Sequence, residues 1–249
     1  MSLRRSNDRK TANIANKSGK LPLIANAFGL PAGNEYSCGG MTSICGKVCY
    51  ANKLEKLFPS MRALLLSNWE QLRNADIFTM ISLIMAMILE FSQECDKRGA
   101  PKQFRIHWDG DFFSVAYARA WAFVIRAFPD VQFWVYTRSF TPDINVIEHL
   151  VNIPNLALYL SVDHDNEHWA REIIAEYPNV MVAALSDTMD NSAEVITELR
   201  GTNKPGAKCP ELIGALPLIT VNGGACFSCQ LCPQGKADIR FASSKAGRV

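Results

Sequence analysis

Hydrophobic and polar positions change period several times along this chain. Residues 1 to about 37 are polar and broken by Pro22, Gly29, Pro31 and Gly33, which leaves no room for a long periodic element. From Phe58 to Arg98 apolar residues return every three or four positions: Met61, Leu64, Leu65, Trp69 and Leu72, then Phe78, Ile81, Ile84, Met87, Ile88 and Phe91. That spacing predicts two helices, the second apolar on most sides and therefore buried. Beyond them, short β-rich runs at 104–108, 131–136, 156–162 and 180–185 are spaced by helical periods at 115–128 and 166–176. Strands parted by helices imply parallel βαβ units. Four of them, with one or two more from the flanks, predict an α/β fold: a partial or closed parallel β/α barrel with cysteine-rich N- and C-terminal extensions. Residues 190–208 read as a connector around a short helix at 192–199, and 216–221 as a strand in a turn-rich end. The expected division is a lead over 1–57, a barrel-like core over 58–200 and a C-terminal segment over 201–249.

Parallel sheets present functional side chains at the carboxyl ends of their strands. The predicted ends carry His107, Trp108, Asp109, Gly110 and Asp111; Thr137 and Arg138; Ser161, Asp163, His164 and Asp165; Ser186 and Asp187. Asp109, Asp111, Arg138 and Asp163 are the catalytic candidates, because carboxylates at such a mouth accept hydrogen bonds from an amine, hold a cation or move a proton. The competing role for Asp109 and Asp111 is capping of the helix that follows. His164 and His168, four apart, could share a metal if their helix began early enough.

Composition narrows the choices. A chain of 249 residues, 48% hydrophobic, can bury a large core. A net charge of +2 argues against a general polyanion binder, although Arg4, Arg5, Arg9 and Lys10 form a basic tip. We expect a solvated arm there, with nucleic acid as its functional alternative. The most apolar run, 77–89, is too short to span a bilayer, and no apolar signal core precedes it, so the expectation is no membrane and a cytoplasmic location.

Eight cysteines in such a chain point to metal or redox chemistry rather than disulfides. Cys38, Cys45 and Cys49 fall within twelve residues, and Cys209, Cys226, Cys229 and Cys232 within twenty-four, leaving Cys95 alone as a structural thiol. The two-residue gaps of Cys226-Phe-Ser-Cys229-Gln-Leu-Cys232-Pro233 let one tight loop aim three thiolates at a point, the spacing of cluster loops in bacterial-type ferredoxins, with Cys209 as a fourth ligand. Four thiolates also suit tetrahedral zinc. The three thiolates of the first group fit a [4Fe–4S] cluster with one iron open, or a site completed from elsewhere.

Several of these runs, taken in order, resemble the phage family called gene product 88, described from mycobacteriophages. They are Ser37-Cys38 through Cys45, Cys49-Tyr50-Ala51, the run from Arg105 to Phe112, Phe133 to Arg138, and Cys209-Pro210 with Cys226, Cys229 and Cys232. The resemblance covers most of residues 20–235. It implies a phage-encoded, cysteine-rich protein in the cytoplasm of the infected bacterium, and no particular reaction. A weaker resemblance is to radical SAM enzymes. It would make Cys38, Cys45 and Cys49 the loop whose cluster leaves one iron for S-adenosylmethionine, Asp109-Gly110-Asp111 the turn that takes the amino group, and the C-terminal four an additional site. The usual Cys-x3-Cys-x2-Cys and Gly-Gly-Glu runs are absent here. Three functions follow as expectations: an iron–sulfur protein for electron transfer or sensing with a host or phage redox partner, a radical-SAM-like enzyme, and a zinc-stabilised module acting on nucleic acid through the basic N-terminus.

Overall fold

The computed structural model describes residues 2–13, 23–142 and 144–243. In chain order the elements are β1 (Ala27–Gly29), α1 (Ser43–Val48), α2 (Tyr50–Leu57), α3 (Pro59–Leu72), α4 (Ile77–Arg98), β2 (Gln103–Asp109), α5 (Val115–Ala127), β3 (Gln132–Thr137), β4 (Leu156–Val162), α6 (Glu167–Glu176), β5 (Met181–Ser186) and α7 (Met189–Arg200). The C-terminal part adds β6 (Ala207–Lys208), β7 (Ile219–Thr220), β8 (Gly223–Gly224), α8 (Ala225–Cys229) and β9 (Ile239–Ala242).

Seven strands form one sheet in the order β1-β2-β3-β4-β5-β9-β6, every pair parallel, while β7 and β8 make a separate antiparallel pair. The fold is therefore α/β, as the alternating periods implied. A closed barrel is not found: β1 and β6 stand at the two edges of the sheet rather than against each other. Parallel strands cannot be joined by tight turns, so segments of a dozen or more residues must cross between them, and here they are largely helical.

Side-chain alternation sorts the sheet into two faces. Phe104, Ile106, Phe133, Val135, Leu158, Leu160, Val182 and Ala184 join the main core with α4, α5 and α7 residues. Trp134, Ala157, Tyr159, Ala183 and Ile239 point the other way, where Cys209, Leu231 and Cys232 of the C-terminal segment pack on them. The two faces explain why the strand runs look apolar throughout.

Local signals set the helix ends. Asp76 accepts from the backbone N–H groups of Phe78 and Thr79 to start α4, and Gly99, at φ +60°, ends it. Ser114 caps α5 through the Tyr117 N–H, so neither Asp109 nor Asp111 is that cap. By length and composition alone α4 could cross a membrane. Its residues Met80, Ile84, Met87, Ile88, Phe91 and Cys95 instead form one buried stripe in the main core.

Three expectations need correction. The connector at 190–208 contains a full twelve-residue helix, α7, capped by Thr188 and ended by Gly201. The strand expected at 216–221 shrinks to the two residues of β7. Residues 2–13 are no free arm: Ser6 pairs antiparallel with Ala27, Thr11 and Asn13 are buried, Arg5 bridges to Glu90 and Glu94, and Lys10 to Glu211. The helix does not begin early enough for His164 and His168 to share a metal: His164 precedes α6, which begins at Glu167, and the His168 ring lies against Trp169.

Candidate functional site

The chain leaving β1 folds over the carboxyl ends of β2, β3 and β4, carrying Cys38, Cys45 and Cys49 with it. Its foundation is apolar: Trp108 of β2 packs with Ala27 and with Leu54, Met61, Leu64 and Leu65 of α2 and α3. Above that, polar contacts hold the loop. Ser37 donates to the Pro31 carbonyl and accepts from the Asp111 N–H. A methyl group at Gly40 would run into the Arg138 carbonyl, so only glycine permits this approach. Thr42 caps α1 by accepting from the Cys45 N–H and donates to Asp163 at 2.6 Å.

Beneath the loop lies an ion pair shut from water. Arg138 Nη1 meets Asp163 Oδ2 at 2.6 Å, with side chains 8% and 0% exposed. Asp163 Oδ1 also accepts from the Asp165 N–H, and Asp165 in turn receives the Ser43 N–H and hydroxyl. Asp111 is fully engaged too, accepting from the Thr137 hydroxyl at 2.6 Å and from the Arg138 and Phe112 N–H groups. Three of the four predicted catalytic candidates thus form one network that fixes the cysteine loop.

Asp109 differs. It is buried, and unlike Asp111 it takes no well-aligned donor among the described residues; the Gly110 N–H and the Glu55 carboxyl are what face it. Burial, and then the neighbouring carboxyl of Glu55, push it up to about 8. Glu55 is itself buried on α2 and accepts from the Ala32 N–H. Two carboxyls side by side in a dry site hold together when one of them keeps its proton. The folded chain therefore binds a proton that the unfolded chain, with an ordinary Asp near 3.9, releases. The stability that this proton contributes is complete below about pH 4 and is lost as pH rises through about 8. Urea titrations across that range should show a falling midpoint, flattened in Asp109→Asn; the same slope in both proteins would refute the pairing.

His107 was placed by sequence among the mouth residues, but it turns away. Its backbone is left-handed, at φ +54°, and the register of β1 on β2 shifts alongside. The ring sits among Phe28, Phe112, Tyr117 and Trp121, bonded to the Tyr117 hydroxyl at 3.0 Å, and burial pushes it down to about 3. This histidine is a neutral core residue, and its twist helps to aim Trp108 and Asp109.

The thiols fall into two places. All eight cysteines are free. Cys38 is raised by burial and then by Asp111; Cys45 is raised by burial, with Arg138 opposing and Cys49 adding to it. On the second face of the sheet, Cys209, Cys226, Cys229 and Cys232 come together under Tyr136 and Tyr159. Tyr159 donates to the carbonyls of Leu231 and Ala237. Burial pushes Cys226 up to about 12, with Cys232 next among the causes, and burial likewise raises Cys232 to about 12, with Cys209 and Cys229 adding to the rise. Among the described residues, no three His, Cys, Asp or Glu side chains stand close enough to hold a single metal ion. Cys95 is separate, buried in α4 and accepting from Asn13, as its isolation in sequence implied.

Sequence reading missed Glu55, Tyr50, Thr42 and Arg105. Glu55 lies in Lys53-Leu54-Glu55-Lys56, which reads as a solvated helix face, and nothing local reveals that α2 turns it inward.

A family profile described as Gene product 88 matches residues 1–235. The "Gene 88 protein" of Mycobacterium phage L5 is 44% identical over 247 residues, 98% of each chain. The protein of the same name from Mycobacterium phage D29 is 44% identical over 249 residues, 98% of this chain and 99% of its own. No solved structure matches significantly.

Proposed function

This chain belongs to the gene product 88 family, and from that premise we propose that it is a phage-encoded iron–sulfur protein with two cysteine sites, serving electron transfer or redox sensing in the cytoplasm of an infected bacterium. One observation carries the reading: Cys209, Cys226, Cys229 and Cys232 come together on one face of the sheet, while Cys38, Cys45 and Cys49 ride on one loop over its carboxyl ends, all as free thiols. Cys209, Cys226, Cys229 and Cys232 would hold one group; Cys38, Cys45 and Cys49 would hold the other. In this reading the sheet is a partial β/α barrel, its open side filled by the C-terminal segment.

The donors suit such a group by type. Burial and the neighbouring thiols raise the proton affinity of Cys226 and Cys232, and a multiply charged metal core removes that conflict by replacing the protons. Sequence spacing favours a cluster over zinc: the two consecutive two-residue gaps of Cys226, Cys229 and Cys232, with a proline after the last, are those of bacterial-type ferredoxin loops. Once bound, a cluster supplies one-electron chemistry. Anaerobically prepared protein should show broad visible absorption that dithionite bleaches; a colourless protein would defeat the proposal.

A second reading, the radical-SAM-like enzyme, is favoured by Asp109, a buried carboxyl beside that of Glu55 which Cys38 feels electrostatically. Three protein thiols would leave one iron for the amine and carboxylate of S-adenosylmethionine. That ligand should then change the paramagnetic resonance of the reduced protein; an unchanged signal rejects the enzyme and leaves the carrier or sensor.

A further inference from the structure

An arginine stands between the two cysteine groups. Arg105 projects from β2 with its side chain 13% exposed, and Nη1 is 2.7 Å from Asp8. Nη2 donates at 3.3 Å to the hydroxyl of Tyr50, the residue after Cys49, and that hydroxyl donates at 2.7 Å to the Trp108 carbonyl. On its other side the guanidinium lies 5.7 Å from the centre of the Tyr136 ring. Tyr136 is hydrogen-bonded to Cys232, and the thiols of Cys226 and Cys232 both feel the Arg105 charge. One donor remains over: Nε is buried with no partner in a chain where most buried donors find one.

We infer that Arg105 is a positioning and charge-compensating residue of the C-terminal cysteine site, held from the other side by Tyr50 so that the two cysteine groups share one electrostatic link. The inference rests on the iron–sulfur reading above. Thiolate ligands make a cluster anionic, and taking one electron from a reductant such as dithionite adds another negative charge. A nearby guanidinium favours the reduced form, and its spare N–H is available to a sulfur acceptor. Sequence alone could not show this, because Arg105 and Cys226 are 121 positions apart and meet only once the C-terminal segment lies on the sheet.

Removing the guanidinium also leaves the Asp8 carboxylate facing the thiols, so both changes act in one direction. The test is a redox titration followed by paramagnetic resonance on the whole protein, with iron and sulfide measured in parallel. Arg105→Gln should keep its iron while the midpoint of the C-terminal cluster falls by at least a tenfold change in the oxidised-to-reduced ratio, 59 mV for one electron. Arg105→Lys, which keeps the charge and loses the fork, should fall less, and Tyr50→Phe less again. Iron-loaded Arg105→Gln and Arg105→Lys with unmoved midpoints would overturn the inference while leaving the iron–sulfur reading intact. Wild-type protein without iron and sulfide would overturn both.

Discussion

Replacing Asp163 with Ala should destabilise the folded chain by about 3–5 kcal/mol, the usual cost of breaking a buried ion pair from one side. The carboxylate is fully enclosed and takes Arg138 and Thr42 at 2.6 Å each. Without it, Arg138 keeps its charge in a place where water cannot replace the lost partner. The damage should spread beyond the pair, because Thr42 is the residue that caps the helix of Cys45. Asp163→Asn, which keeps shape and some hydrogen bonding, should lose less. Guanidinium denaturation read by fluorescence measures both; a loss below about 1 kcal/mol for the alanine variant would mean that the pair is not sealed in solution.

Cysteine replacement should separate ligands from packing more sharply still. Cys229→Ser should empty the C-terminal site and loosen the fold around it, because ligation energy is also folding energy. The segment from Cys209 to Cys232 is mostly turns with two-residue strands and the five-residue α8, so little else organises it. Cys95→Ala, in the last turns of α4 where the sulfur lies in the main core and bonds to Asn13 and the Pro101 carbonyl, should keep full metal content and lose about 1 kcal/mol. Iron analysis and thermal melting on the pair of variants give the comparison. Equal loss of iron in both would contradict the division of thiols.

The central strands were legible because each buries both faces and so announces itself as a short apolar run: Gln103–Asp109, Gln132–Thr137, Leu156–Val162 and Met181–Ser186 all fall within a residue or two of their predicted limits. The edge strands were not. Ala27–Gly29 has three residues and Ala207–Lys208 two, too few for any period, and only the sheet beside them makes them strands. The site divides in the same way. Asp109, Asp111, Arg138 and Asp163 were found by their position after strands, a rule of topology. Their different states, three well bonded and one set against another carboxyl, depend on Thr42, Ser37 and Glu55 brought from 54 to 121 positions away, and no local pattern encodes such pairings. His107 misled because a left-handed residue reverses the alternation that would otherwise place it at the mouth.

Whether the two cysteine groups hold iron–sulfur clusters is decided by elemental analysis of protein prepared without oxygen. It should contain iron together with acid-labile sulfide, both lowered in part by Cys45→Ser and in part by Cys229→Ser, since the variants strike different sites. Stoichiometric zinc without sulfide would contradict the cluster reading.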